Sequence, residues 1–221
     1  MSRALLALLA ALAGAEPPPA TCTYDTWSWS VVERRAVLPR HVSKPYAELT
    51  DEEKAPDWAA TGCTLCREDQ ETVRIAGLPP VDVCRAYAPR VREALQAAVD
   101  DGFRVETLVG YRVGRSGGPV VDGLRTRYGW HAYGEALDVN SAANGLYTGC
   151  AHDARPPSDA TALAKARRTL GGDWNPARRP QTSVTADGAL MTAFRRVLGW
   201  HWGGERSDGL KDLMHVSPDG Y

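Results

Sequence analysis

Apolar residues recur at every fourth position in one stretch of the chain, and this spacing indicates an amphipathic helix. The stretch covers residues 83–101, with apolar positions at Val83, Tyr87, Val91, Leu95 and Val99. Gly102 follows directly and predicts the end of the helix. Pro89 lies inside the pattern, where its ring disrupts a helix interior but suits a first turn, so the helix either kinks or begins there.

Short apolar and alternating runs predict strands on both sides of this helix. The predicted strands cover residues 26–32, 72–75, 105–111 and 136–139. In the last strand, Ala136 and Asp138 share one face, and Leu137 and Val139 share the other. The pattern therefore places a carboxylate on a strand that otherwise resembles core. A buried carboxylate needs a strong partner, and a metal ion is one of the few adequate ones.

Capping residues and glycines predict the remaining helices and loops. The additional predicted helices cover residues 49–54, 158–170 and 187–198. Thr50 and Ser158 are the expected N-caps, and Gly171 is an expected stop. Residues 114–123 and 171–185 are rich in glycine or proline and are predicted as loops.

The composition is that of a globular protein. The 221 residues are 43% apolar and 24% charged, which is enough for one core and a small additional lobe. The net charge of −1 and the pI of about 6.5 indicate no polyanion-binding surface. Nucleic acid is therefore not an expected partner.

The N-terminus has the features of a secretory signal peptide, which we predict over residues 1–15. Arg3 precedes an apolar segment that is too short to span a bilayer, and Ala13-Gly14-Ala15 fits a cleavage site. A core helix is the alternative, but three prolines follow at once and the segment has no polar face. We expect export to the periplasm or the extracellular space, with no integral membrane segment after cleavage.

Five cysteines follow the predicted signal peptide: Cys22, Cys63, Cys66, Cys84 and Cys150. Disulfides are expected in an exported protein, and the odd number leaves one thiol free or paired between chains. The alternative is a zinc knuckle built from Cys63-x-x-Cys66 with Cys84 and Cys22. Residues 16–70 are predicted as a cysteine-containing N-terminal lobe, and residues 71–221 as the main domain.

The candidate chemistry lies in two segments of the main domain. His131 and Asp138 supply two metal ligands, and Asp212-x-x-His215 offers a third ligand and a second carboxylate. A catalytic zinc site takes three protein ligands and keeps one position open for water. The metal lowers the pKa of that water from ~15.7 toward ~7, and a nearby carboxylate takes the proton. Arg112 ends a predicted strand, where it can hold a substrate carboxylate or a developing oxyanion.

Four separated motifs carry a resemblance to a known family. They are Gly110-Tyr111-Arg112, His131-x-x-Gly134-x-Ala136-x-Asp138, Trp202-Gly203-Gly204 and Asp212-x-x-His215. This set resembles the D-alanyl-D-alanine carboxypeptidase and L-alanyl-D-glutamate endopeptidase family of zinc peptidases (VanY-like) over roughly residues 83–217. The resemblance implies that His131, Asp138 and His215 bind one Zn²⁺ ion. It also implies that Asp212 is the catalytic base and that Arg112 contacts substrate.

The chain departs from the family pattern at two places. Many relatives carry serine two residues before the first histidine, where this chain has Gly129. In the endopeptidase branch, the Trp-Gly-Gly motif is often followed by Asp-Trp, whereas in this chain Glu205 and Arg206 follow Trp202-Gly203-Gly204. Neither position is a ligand, but both leave the choice between carboxypeptidase and endopeptidase open. The N-terminal lobe lies outside the resemblance.

Each candidate residue has a structural alternative. Asp212 is either the base or a carboxylate that orients a ligand by a hydrogen bond. Arg112 is either a substrate contact or a member of a structural ion pair. Trp202 is expected to pack in the wall of the substrate pocket. Glu135 and Glu205 are candidate groups at the pocket rim.

These observations predict an α+β fold, with a small, largely antiparallel sheet that carries the zinc site and is flanked by helices. The predicted function is that of an exported zinc metallopeptidase, expected to be a monomer, that hydrolyses peptidoglycan stem peptides. The alternatives are a zinc-binding cell-wall recognition module without catalysis and a zinc hydrolase of another exported substrate. The substrate class is implied by the resemblance and the export signal alone.

Overall fold

The computed structural model describes residues 19–153 and 155–221, so the predicted signal peptide lies outside the described residues. Its helices are α1 (Trp58–Thr61), α2 (Ala88–Asp100) and α3 (Ala189–Leu198). Its strands are β1 (Thr21–Ser30), β2 (Arg35–Pro45), β3 (Gln70–Val73), β4 (Val81–Cys84), β5 (Leu108–Val109), β6 (Val113–Val121), β7 (Leu124–Tyr128), β8 (Leu137–Val139), β9 (Leu146–Thr148), β10 (Arg167–Leu170), β11 (His201–Trp202), β12 (Leu210–Asp212) and β13 (His215–Ser217).

The strands form four small sheets. Their orders are β2-β1-β6-β7, β10-β9-β12, β11-β13-β8-β5 and β3-β4. The pairing of β1 with β6 is parallel, and the pairings within the other three sheets are antiparallel. The predicted α+β class with largely antiparallel sheets is confirmed. In the part of the chain that the structure describes, no helix has the length and apolar character needed to cross a membrane.

Helices α2 and α3 pack against each other and form much of the core. Helix α2 buries Val91 and Leu95, as the four-residue spacing predicts. Trp200 joins the two helices, with its ring centroid 5.4 Å from that of Tyr87 and 6.0 Å from that of Phe194. Fully burying a large apolar side chain contributes about 1.5–3 kcal/mol, so these contacts stabilise the frame that carries the site.

The helix predicted over residues 83–101 begins later than its first apolar residue. Pro89 lies in the first turn of α2, where its missing N–H is not needed. Val83 belongs instead to β4, whose backbone pairs with β3. The four-residue spacing continued by chance across a strand, and the pairing that formed the strand is not local in sequence.

The loop predicted over residues 114–123 is mostly strand. It forms β6, which returns as β7 through a two-residue turn at Asp122 and Gly123, both with positive φ. Such turns match the twist of antiparallel strands and favour Asp-Gly. Register shifts on either side of Gly117 accommodate the glycine-rich stretch within the ladder. The glycines therefore mark bulges in a hairpin rather than a loop.

The helix predicted over residues 158–170 is wrong. A single 3-10 turn, Ala160–Leu163, is capped by the Asp159 side chain, and residues 167–170 form the exposed edge strand β10. Leu163 is the one residue buried between positions 158 and 170. A helix there has no apolar face to bury, and pairing with β9 satisfies the backbone instead.

Two other predicted elements are shorter than expected. The strand predicted over residues 105–111 is limited to β5. The helix predicted over residues 49–54 is a single 3-10 turn, Asp51–Glu53, with Thr50 in a capping box as the sequence indicates.

Two disulfides form, one within the N-terminal segment and one between that segment and β4. Cys22 bonds Cys66, and Cys63 bonds Cys84. The prediction of disulfides is confirmed, and the alternative zinc knuckle is excluded because all four of its thiolates are used. Cys150 is a half-buried free thiol. Strand β1 also pairs with β6, so the segment before residue 70 shares a sheet with the main domain, and the domain boundary stays a prediction.

Candidate metal centre

Three ligand candidates come together where β13 meets β8. His215, the first residue of β13, lies directly opposite Asp138 in the β8 register. Strand β8 is flanked on its other side by β5, where Val109 pairs with Asp138. His131 approaches from the 3-10 turn Trp130–Tyr133. The sheet fixes two of the ligands relative to each other, and the turn delivers the third.

The three facing atoms form a nearly regular triangle. His131 Nε2 lies 3.1 Å from Asp138 Oδ1, and His215 Nδ1 lies 3.2 Å from His131 Nε2 and 3.3 Å from Asp138 Oδ1. All three residues are buried. His131, Asp138 and His215 therefore form a group that can hold a metal ion, as the sequence predicts.

A backbone hydrogen bond selects the nitrogen that His131 directs into the triangle. Its Nδ1 lies 2.8 Å from the carbonyl oxygen of Gly110. A carbonyl only accepts, so Nδ1 carries the proton and donates it, and Nε2 is left as the ligand. Metal-binding histidines commonly have such a partner, because it fixes the tautomer and the ring orientation. Gly110 thus has a role at the site that the sequence did not assign to it.

The charges of the site act strongly on one another. Burial alone raises the pKa of Asp138, but the charges and hydrogen bonds of His131 and His215 overcome it and hold that pKa well below its usual value. Burial dominates at His131 and lowers its pKa, whereas the Asp138 carboxylate outweighs burial at His215 and raises its pKa. The buried carboxylate is thus kept ionised, which is the form that binds a metal.

Asp212 lies beside this triangle at the end of β12. Gly203 packs directly on it, since a Cβ at Gly203 would lie 2.3 Å from the Asp212 carbonyl oxygen. The Oδ1 atom of Asp212 is buried and has no hydrogen-bond partner among the described residues, and the same holds for His215 Nε2. Burial and the nearby charge of Asp138 raise the pKa of Asp212 to about 6. Asp212 therefore lies beside the ligand group, and its role as the catalytic base stays a prediction.

Arg112 contacts a ligand candidate rather than open space. Its Nη2 donates a hydrogen bond of 2.6 Å to Asp138 Oδ2, the oxygen that faces away from the two histidines. Its side chain is 36% exposed, so part of the guanidinium remains accessible. Arg112 therefore forms the ion pair that the sequence allows as its structural alternative, and its partner is the ligand candidate Asp138.

Trp202 does not lie in an accessible wall of the site. Its side chain is fully buried, packs near Trp174 and donates its indole N–H to the carbonyl oxygen of Leu213 at 2.9 Å. It has no exposed surface to offer a substrate, so the predicted substrate contact of Trp202 is not supported. Its strand neighbour His201 is exposed.

Glu135 lies in the core rather than at the pocket rim where the sequence places it. It is wholly buried, and neither carboxyl oxygen has a hydrogen-bond partner within the described part of the chain. Burial and the charge of Asp57 raise the pKa of Glu135 to about 9. Its position between two small residues, Gly134 and Ala136, is the sequence signal that could have indicated burial.

A second group of metal-binding residue types is explained by covalent chemistry. Cys22, Cys66 and Glu68 have ligand atoms within 4.8 Å of one another. The two cysteines are joined as a disulfide, so neither offers a thiolate. Glu68 accepts hydrogen bonds from the amide and hydroxyl of Thr23. This group is structural.

Comparisons with known proteins identify no relative. No protein-family model, no curated protein and no solved structure matches this chain. The interpretation of the site therefore depends on its geometry and on the motifs in the sequence.

Proposed function

We propose that the chain is an exported zinc metallopeptidase that hydrolyses peptide bonds in peptidoglycan stem peptides, as a D,D-carboxypeptidase or an L,D-type endopeptidase. One observation carries the proposal. Two histidines and an aspartate direct three atoms to a common point, and a second carboxylate with a buried free oxygen lies beside them. This is the arrangement that metal-assisted hydrolysis requires.

The donor set fits zinc. Zinc–nitrogen and zinc–oxygen bonds of about 2.0–2.1 Å in tetrahedral geometry separate two ligand atoms by roughly 3.3–3.4 Å. The three atoms here are separated by 3.1, 3.2 and 3.3 Å, close to that value. Three protein ligands leave a fourth position for water or substrate, which distinguishes catalytic from structural zinc sites. His131, Asp138 and His215 are the residues that would hold the ion.

A bound zinc ion would supply a Lewis acid that makes water a nucleophile at neutral pH. Asp212 would accept the proton of that water at Oδ1 and return it to the leaving amine. Its Oδ1 is buried and has no hydrogen-bond partner among the described residues, so it is available to take that proton. Arg112 would hold Asp138 ionised and oriented, and its accessible edge would contact the substrate.

The substrate class is supported by three features of the chain. The ordered motifs resemble those of peptidases that cleave cell-wall peptides. The predicted signal peptide directs the protein to the compartment of peptidoglycan. Two disulfides suit an oxidising compartment.

Digestion of purified peptidoglycan followed by mass analysis of the products tests the proposal. Loss of a terminal alanine identifies a carboxypeptidase, and cleavage after L-alanine identifies an endopeptidase. The Asp212→Asn protein, loaded with zinc, serves as the inactive control. Zinc binding with no product from any muropeptide would refute catalysis on this substrate and favour a recognition module. If the chain cleaves an exported protein but no muropeptide, the proposed substrate class is wrong and the activity is that of a zinc hydrolase of another exported substrate.

A further inference from the structure

Strand β4 lies behind the candidate metal centre. Its backbone forms hydrogen bonds with two segments that orient His131, one earlier and one later in the chain than His131 itself. The amide of Cys84 donates to the carbonyl oxygen of Gly134 at 2.9 Å. Two residues earlier in β4, the carbonyl oxygen of Asp82 accepts from the amide of Tyr111 at 2.8 Å. Gly134 ends the turn that carries His131, and Tyr111 follows the carbonyl that fixes the His131 ring.

Both contacts are too close for a side chain. A Cβ at Gly134 would lie 2.4 Å from the Cys84 nitrogen, and one at Gly110 would lie 2.2 Å from the Asp82 oxygen. The backbone of β4 is therefore in direct contact with the two segments that orient His131. A shift of β4 must move at least one of them, because each is joined to β4 by a direct backbone hydrogen bond.

A disulfide ties β4 to the N-terminal segment. Cys84 is bonded to Cys63, whose carbonyl oxygen accepts from the amide of Ala55 at 3.0 Å. Backbone carbonyl groups of the same segment accept hydrogen bonds from the hydroxyls of two tyrosines near the site. Tyr111 donates to the Leu65 carbonyl at 2.6 Å.

The second tyrosine lies in the turn of His131 itself. Tyr133 donates its hydroxyl to the carbonyl of Glu52 at 3.0 Å. The N-terminal segment, although outside the motif resemblance, is thus joined to β4 by one disulfide and to the two metal-site segments by two tyrosine hydrogen bonds.

We infer that the Cys63–Cys84 disulfide is a positioning element of the metal centre: through β4 it holds His131 in the orientation that binds metal. The inference rests on the proposed zinc site. It implies that metal affinity is higher when this disulfide is intact than when Cys63 and Cys84 are reduced. Groups that orient a ligand without touching the metal typically contribute a factor of about 10–100 in affinity.

The second disulfide provides a matched control. Cys22–Cys66 closes a loop of sequence separation 44, against 21 for Cys63–Cys84. A longer loop gains more stability from closure in the chain-entropy account. If metal affinity merely followed overall stability, loss of Cys22–Cys66 would weaken it at least as much. A positioning role predicts the opposite order.

The experiment compares Cys63→Ala/Cys84→Ala with Cys22→Ala/Cys66→Ala in the otherwise complete mature chain. Zinc affinity is measured by chelator competition, the visible spectrum of the Co²⁺-loaded protein reports ligand geometry, and circular dichroism checks folding. We expect a roughly 10–100-fold weaker zinc affinity and an altered Co²⁺ spectrum in the first variant, and less than a threefold change in the second. Equal effects in both variants, or none in the first, would overturn the inference.

Should the first variant not fold, the wild-type protein supplies the test. Co²⁺-loaded protein is titrated with a phosphine reductant while thiols are trapped and located by mass mapping. Loss of the Co²⁺ spectrum should follow the opening of Cys63–Cys84, and loss that follows only Cys22–Cys66 would contradict the inference. Failure of the wild-type protein to bind Zn²⁺ or Co²⁺ at all would instead refute the proposed metal centre.

Discussion

Arg112 and Asp138 form an ion pair in which the guanidinium holds the carboxylate oxygen that does not face the histidines. The Nη2–Oδ2 distance is 2.6 Å, and the other oxygen lies 3.1 Å from His131 Nε2. The two oxygens of Asp138 are therefore divided between a fixed cation and the candidate metal position. This division restricts the rotation of the carboxylate and lowers the cost of ordering it when a metal binds.

Replacing Arg112 by Gln should weaken zinc binding. The partner of Asp138 Oδ2 is lost, so we expect an affinity decrease of roughly tenfold together with lower kcat/KM. Chelator competition measures the affinity, and Arg74→Gln, at an exposed arginine, is the control. Unchanged zinc affinity with a raised KM alone would show instead that Arg112 acts only on substrate.

Replacing Asp212 by Asn should separate metal binding from hydrolysis. The amide cannot accept the proton of the attacking water, so we expect a zinc content equal to wild type and a kcat reduced by about 10²–10⁴-fold. Asp208→Asn is a suitable control, because Asp208 is a nearby exposed carboxylate paired with Arg206. Turnover that survives in Asp212→Asn would remove this residue from the mechanism.

Replacing Glu135 by Gln should change the pH dependence of stability. The folded-state pKa is about 9 against an ordinary value of 4.5, so between these values the folded chain binds a proton that the unfolded chain has released. The contribution of Glu135 to the free energy of unfolding should therefore be highest below pH 4.5 and fall as the pH rises toward 9. By pH 7 the fall reaches about 3 kcal/mol.

Urea unfolding at several pH values measures this effect. In Glu135→Gln the contribution from this residue should disappear, so the variant gains stability relative to wild type as the pH rises. Glu93→Gln, at an exposed position of α2, should leave the wild-type slope unchanged. Parallel pH profiles for wild type and Glu135→Gln would show that Glu135 is not protonated in the folded protein.

Replacing Gly134 by Ala tests the close approach behind the site. Gly134 has φ +74°, and an added Cβ would lie 2.4 Å from the Cys84 nitrogen. Gly62 has φ +73° with nothing within 4 Å of an added Cβ, so Gly62→Ala carries the backbone strain without the collision. We expect a loss of about 1–2 kcal/mol for Gly62→Ala and a clearly larger loss for Gly134→Ala in thermal unfolding. Equal losses would mean that β4 can move away without cost.

The parts of the fold that follow local rules are predictable from the sequence. Val91 and Leu95 lie on the buried face of α2, and the alternation around Asp138 matches β8. Elements created by pairing between distant segments are not predictable in this way. Val83 continues a helical spacing yet lies in β4, and residues 167–170 become a strand because β9 is available to pair with them.

The candidate site shows the same division. The types and order of His131, Asp138 and His215 are enough to select them as ligand candidates. The partners that orient them are not visible in the sequence, because Gly110 acts through its backbone carbonyl and Arg112 through an ion pair. The sequence also does not reveal which cysteines pair, since pairing is decided by three-dimensional proximity.

Zinc-edge X-ray absorption on the purified, zinc-loaded protein tests the central claim most directly, when wild type is compared with His131→Ala. We predict one zinc ion per chain in wild type, bound by two imidazoles and one carboxylate at about 2.0–2.1 Å with no sulfur ligand, and loss of that ion in His131→Ala. A wild-type protein that binds no zinc, or one whose zinc is bound by sulfur or is retained unchanged in His131→Ala, would contradict the account.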